Sequence, residues 1–99
     1  MNRYEMTYII DTALEDTARK DLIERVNNLI TNNGGEIEKV DETWGKRRLA
    51  YEIKKEVEGF YVIFYVTCPP ACVDECDRVM KITDEILKHM IVRSDDKED

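Results

Sequence analysis

Every position from Phe60 to Val66 is apolar or aromatic, with Gly59 just before the run and Pro69-Pro70 soon after it. A short unbroken apolar run between a glycine and a proline pair predicts a strand at the centre of a sheet, with both faces occupied. Such a strand must be flanked and covered. The residues on either side supply the pieces.

Near the start, Tyr4, Met6, Tyr8 and Ile10 alternate with Arg3, Glu5, Thr7 and Ile9, a period of two that predicts a strand. Asp11 or Thr12 is placed to cap a helix beginning just after it. Leu14, Ala18, Leu22, Val26, Leu29 and Ile30 then recur every three or four residues, with Ile23 widening the stripe and Glu15, Arg19, Lys20, Glu24 and Arg25 on the wet side. This is an amphipathic helix, ended by Asn32-Asn33-Gly34-Gly35.

From Glu36 to Lys54 the pattern is extended again. Val40 and Trp44 share one parity, Leu49, Tyr51 and Ile53 the other, and Gly45 between them suggests a bulge or bend in one long strand. Lys54 to Glu58 read as a polar turn leading into the central strand. Pro70 suits the first turn of a second helix, whose apolar stripe is Cys72, Val73, Cys76, Val79 and Met80. Ile82 to Glu85 connect it to a last strand, Ile86 to Arg93, with Ile86, Met90 and Val92 expected on one face.

The order strand-helix-strand-strand-helix-strand, with right-handed crossovers, predicts an α+β fold of the ferredoxin-like split type. Four antiparallel strands carry both helices on one face and leave the other uncovered for a partner. The chain of 99 residues is one domain over residues 1–94, and residues 95–99 read as an acidic tail, disordered when unbound.

Charge distribution then bears on function. The formal net charge is −7 and charged residues make up 37% of the chain, which argues against a general nucleic-acid coat. Yet Lys46, Arg47, Arg48, Lys54 and Lys55 face a single acidic residue, Glu52, within Trp44–Lys55. That segment carries +4 and leaves −11 for the rest. Arg3 and Arg93, on strands the fold sets side by side, are expected to extend this basic patch. Trp44, Tyr51, Tyr61 and Tyr65 add rings that can stack on unpaired bases while basic side chains hold phosphates. Charged edge strands also serve simply to block aggregation, and rings in a central strand commonly belong to the core. Composition leaves both readings open.

The string Trp44-Gly45-Lys46-Arg47-Arg48-Leu49-Ala50-Tyr51-Glu52-Ile53 resembles the signature segment of the bacterial small-subunit ribosomal protein six family. Arg3-Tyr4-Glu5, Gly59-Phe60-Tyr61 and Met90-Ile91-Val92-Arg93 resemble that family in the same order, so the likeness runs to about Ser94. It implies a non-enzymatic component of the small ribosomal subunit in the cytoplasm. Such a protein would pair with small-subunit ribosomal protein eighteen and bind the central domain of 16S ribosomal RNA. By position, Arg3, Lys46, Arg47, Arg48 and Arg93 would contact phosphates, and Tyr4, Trp44 and Tyr51 would pack on RNA or partner or lie in the core. The family often has proline at Glu52 and arginine at Lys81 and Lys88. Lysine keeps the charge there but loses the planar fork.

Other signals point to no chemistry. Cys68, Cys72 and Cys76 are spaced by four, but Pro69-Pro70 interrupts them, no fourth ligand is near, and free thiols in a reducing compartment are expected. His89 is the lone histidine, in an exposed-looking position without an evident carboxylate partner. The sequence predicts no active site, no metal, no cofactor, no small-molecule substrate and no membrane segment. Two alternatives share the topology. One is a stand-alone RNA-recognition module, faintly echoed by Glu58–Tyr65; the other is a dimeric ferredoxin-like enzyme or ligand sensor.

Overall fold

The computed structural model describes residues 1–94; the acidic tail expected at residues 95–99 lies outside the described residues. The elements are β1 (Asn2–Asp11), α1 (Asp16–Asn32), β2 (Glu36–Ile53), β3 (Glu56–Cys68), α2 (Pro70–Ile82) and β4 (Ile86–Arg93). The sheet order is β2-β3-β1-β4 and every pairing is antiparallel. The expected split fold is present, with β3 and β1 central.

Alternation decides what each face buries. Met6, Tyr8 and Ile10 of β1 and Val62, Phe64, Val66 and Cys68 of β3 point to the helices, where Leu22, Val26, Ile30, Cys72, Cys76 and Met80 meet them. Tyr8 and Phe64 pack as a tilted ring pair, centroids 5.7 Å apart. The Tyr8 hydroxyl is buried without a hydrogen-bond partner among the described residues. Burial raises its pKa.

Several local expectations are corrected. Neither Asp11 nor Thr12 caps α1: the N-cap is Glu15, without a side-chain cap, and Asp11 Oδ1 instead accepts from the Ala13 N–H at 2.9 Å within the preceding turn. Ala18 is exposed, whereas Arg19, expected on the wet side, is half-buried. Its guanidinium lies 4.1 Å from the centroid of the Phe60 ring and it bonds Asp16 at 3.0 Å. A long aliphatic stem lets arginine cover apolar surface that a period count gives to alanine.

The turn after β2 is also tighter than the five residues expected. Ile53 pairs with Glu56, so Lys54 and Lys55 alone make it, with φ of 49° and 67°. Left-handed backbone costs a residue with a Cβ roughly 1–2 kcal/mol.

The faces of β4 differ from the alternation expected of them. Ile9 pairs with Lys88 but Ile10 pairs with Ile86, which makes Leu87 an extra residue and flips the strand beyond it. Ile86 lies in the main core, while Met90 and Val92 are exposed on the opposite face and Ile91 takes the core side. His89 shares that core side. It is largely buried, 2.7 Å from Asp77 Oδ1 of α2, so the lone histidine does have a carboxylate partner.

The face away from the helices is not left open along its whole length. Leu49 of β2 packs with Ile9 of β1 and Leu87 of β4 in a second, smaller cluster, with Ile53 and Tyr61 at its edge. The β2–β3 hairpin therefore curls over the sheet and reaches the far edge strand. Lys88 Nζ donates to the Tyr51 hydroxyl at 2.6 Å, and Lys54 Nζ to the Ile86 carbonyl at 3.5 Å. The parity difference between Val40 and Leu49 now has its cause: the first half of β2 serves one core and the second half the other. Gly59 permits the close approach, since a Cβ there would lie 2.1 Å from Ile9 Cγ2.

Candidate nucleic-acid interface

The basic segment is the second half of β2, an edge strand that pairs only with β3. Pairing reaches Asp41–Ile63 after one shift between Ile37 and Lys39, and resumes at Gly45–Tyr61, so the residues between bulge outward. Asp41 braces the bulge by accepting from the Thr43 N–H at 2.9 Å and the Thr43 hydroxyl at 2.6 Å. Those bonds hold its carboxyl below the usual range. Gly45 closes the bulge with a φ of 62°.

This irregularity frees Trp44 from the parity of Val40. Its ring stacks on Tyr61, centroids 6.2 Å apart and planes 26° from parallel. The Arg47 guanidinium sits 5.1 Å from the Trp44 ring centroid, and its Nε donates to the Trp44 carbonyl at 3.0 Å. Trp44 remains 47% exposed despite these two neighbours. A flat cation and two rings in register form the arrangement a base can join by stacking.

Alternation splits Lys46, Arg47 and Arg48. Arg47 faces away from the helices, opposite Gly59, whereas Lys46 and Arg48 share the other side with their partners Phe60 and Glu58. Lys46 makes one loose ion pair, to Glu58 at 4.0 Å, and Arg48 makes none among the described residues. Exposed pairs of that length contribute well under about 1 kcal/mol, so both cations are available to an outside anion.

Arg3 and Arg93 are together, as expected, but not with that segment. Tyr4 pairs with Arg93 at one end of the sheet, while Arg47 sits level with Gly59 and Asp11 at the other. The intervening strand, roughly 25 Å at about 3.3 Å per residue, makes two basic clusters where one patch was expected. Arg3 pairs with Glu38 at 3.5 Å, and Arg93 donates to Asn2 Oδ1 at 3.1 Å. Glu38 also accepts from the Thr67 hydroxyl.

The three aromatic candidates have different surroundings. Tyr4 packs against the main core, with its hydroxyl 3.3 Å from Asn2 Nδ2. Trp44 belongs to the stack. Tyr51 is 60% exposed, with Lys88 across its ring at 5.1 Å from the centroid. Lys88 thus holds the hairpin to β4, a role invisible in sequence because the two residues lie on opposite edges of the sheet.

The thiols are sealed. Cys68, Cys72 and Cys76 are fully buried, and burial pushes the Cys68 thiol up to about 12 and raises that of Cys76 as well. Among the described residues no cluster of three or more histidine, cysteine or acidic side chains could hold a metal. No helix among the described residues is long and apolar enough to cross a membrane.

The match to known proteins spans the fold. The family model described as ribosomal protein S6 matches residues 3–93. The chain belongs to the ribosomal protein S6 family. It is similar to the small ribosomal subunit protein bS6 of Exiguobacterium sibiricum, at 50% identity over 95 residues, 96% of this chain and 99% of that protein. It is also similar to the crystal structure of the 30S ribosomal protein S6 from Thermotoga maritima. That match has a TM-score of 0.91 and 35% identity, covering 98% of this chain and 91% of the other. S6 proteins are components of the small subunit and not enzymes, which removes the ferredoxin-like enzyme from consideration.

Proposed function

We propose that this chain binds the central domain of 16S ribosomal RNA within the small subunit, as a heterodimer with ribosomal protein S18, in the cytoplasm. The observation that carries this reading is the Tyr61–Trp44–Arg47 stack, set on an edge strand whose Lys46 and Arg48 lack strong partners. Stacking fixes a base and the cations hold its phosphates. Arg3 and Arg93 would form a second phosphate contact at the far end of the sheet, and Tyr51 would pack beside the hairpin. Arg47 is a composite element, since its guanidinium faces the ring and keeps donors for a phosphate.

The −11 carried outside Trp44–Lys55 fits a basic protein partner, with the residues after Ser94 adding to the attraction. Deleting that tail should slow association with S18 and weaken its salt dependence; unchanged rates remove the tail's part. The functional reading is tested by titrating a 16S central-domain transcript with the chain, alone and with S18. Weak binding alone that tightens with S18 supports it. Nanomolar binding alone would point to the stand-alone RNA-recognition module, and no binding in either case contradicts both.

A further inference from the structure

Among the described residues, Lys54 and Lys55 are the only ones other than glycine with positive φ, and they stand side by side in the two-residue turn of the β2–β3 hairpin. Positive φ at both positions is the pattern of a type I′ turn, for which Asn-Gly is preferred because it tolerates left-handed backbone. Two lysines are a poor conformational choice. Strain of this kind persists where the side chain serves something else.

For Lys54 the structure supplies that use, the bond from its Nζ to the Ile86 carbonyl that ties the tip to β4. For Lys55 it supplies none: the residue is exposed and makes no hydrogen bond or ion pair among the described residues. Nor do Glu52 and Glu56 pair with it. Among the described residues Arg48, on the same hairpin, is likewise exposed without an ion pair, and Lys46 has only its loose contact with Glu58. Leu49, Ile53 and the Tyr51–Lys88 bond pack the hairpin against the sheet, which places the tip beside β4. An exposed cation on a strained turn, with no pairing among the described residues, suits an anionic partner.

We infer that Lys55 is a phosphate contact of the RNA, and that the hairpin tip extends the interface beyond the Trp44 stack. This rests on the reading that the chain binds ribosomal RNA. The side chain acts as a point charge, adding affinity without reading sequence.

Three substitutions test it, with 16S ribosomal RNA and the remaining small-subunit proteins as the binding assembly. Lys55→Gly removes the charge and relieves the backbone, so its thermal midpoint should rise while its affinity falls, roughly 3- to 10-fold at about 0.15 M salt, with the salt slope reduced by about one. Lys55→Gln should lose the same affinity without the gain in stability, and Lys55→Arg should retain wild-type binding. Wild-type affinity and slope in Lys55→Gly and Lys55→Gln, with binding lost in Lys46/Arg47/Arg48→Ala, would overturn the inference and leave the functional reading intact. A lowered midpoint for Lys55→Gly would overturn the turn geometry on which the inference stands. A wild-type chain that does not enter the assembly overturns both.

Discussion

On the helix side of the sheet, Met6, Tyr8 and Phe64 are sealed against Ile30 and the other buried residues of the two helices; on the opposite side, Ile9 and Leu87 are sealed by Leu49 from a hairpin of the sheet itself. The first core is the larger of the two. The second is small, and its cover is the segment that bears Trp44, Arg47, Arg48 and Lys55. On the proposed reading, the larger core supplies most of the stability and the hairpin over the smaller one supplies the RNA contacts. That hairpin is anchored by the smaller cluster, so perturbing the cluster should leave the domain folded.

The sharpest way to break this contrast is to truncate one residue on each side. Phe64→Ala should cost roughly 3–5 kcal/mol and Leu49→Ala about 2 kcal/mol, read from urea denaturation. Leu49→Ala should in addition weaken RNA binding in a still-folded protein, because the hairpin loses its anchor. Equal losses of stability at the two sites would contradict the division.

Gly59→Ala probes the same contact from the opposite sense. Its new methyl would meet Ile9 Cγ2, and overpacking of that kind typically costs about 1–3 kcal/mol. Thermal unfolding of this variant should show a lowered midpoint, with protection of the hairpin amides lost before that of β1 and β3. Uniform loss of protection would mean that the hairpin is not a separate unit.

Much of this is legible in the sequence. The run Phe60–Val66 does form a central strand, the helix stripes at Leu22, Val26 and Ile30 and at Cys72, Cys76 and Met80 are buried, and β4 has the predicted bounds. Period counting reads one element at a time, and that limit explains its misses. The extra residue at Leu87 leaves no mark on the alternation until Ile9 and Ile10 fix the pairing, so the alternation puts Met90 and Val92 on the wrong face. The Tyr51–Lys88 bond joins opposite edges of the sheet, and His89–Asp77 joins strand to helix. The basic triplet is legible as charge but not as geometry, because alternation sends Arg47 to one side and its neighbours to the other.

Smaller effects refine the comparison. Tyr51→Phe removes the hydroxyl that accepts from Lys88 at 2.6 Å while keeping the ring. Both residues are exposed, so the loss should stay below about 1 kcal/mol. Exchange of the hairpin amides should nevertheless quicken; unchanged exchange would show the bond to be incidental.

Asp77 gives a pH signature on the helix side. The hydrogen bond to His89, followed by the charge of Lys81, holds its carboxyl below the usual range. Its folded pKa thus lies below the unfolded value, so its contribution is present above about pH 4 and is lost as pH falls through the folded value. The stability curves of wild type and Asp77→Asn should separate above that pH and converge in acid. Parallel curves would show that the pair contributes nothing to stability.

The central claim is that this S6-family chain meets ribosomal RNA through its hairpin while the helix-side core merely holds the fold. Sucrose-gradient fractionation of cells expressing the wild type and Lys46/Arg47/Arg48→Ala tests it most directly. The wild type should co-sediment stoichiometrically with small subunits, and the variant should stay folded but remain at the top of the gradient. A wild-type chain found only in the free pool, or a variant that co-sediments as fully as the wild type, would contradict it.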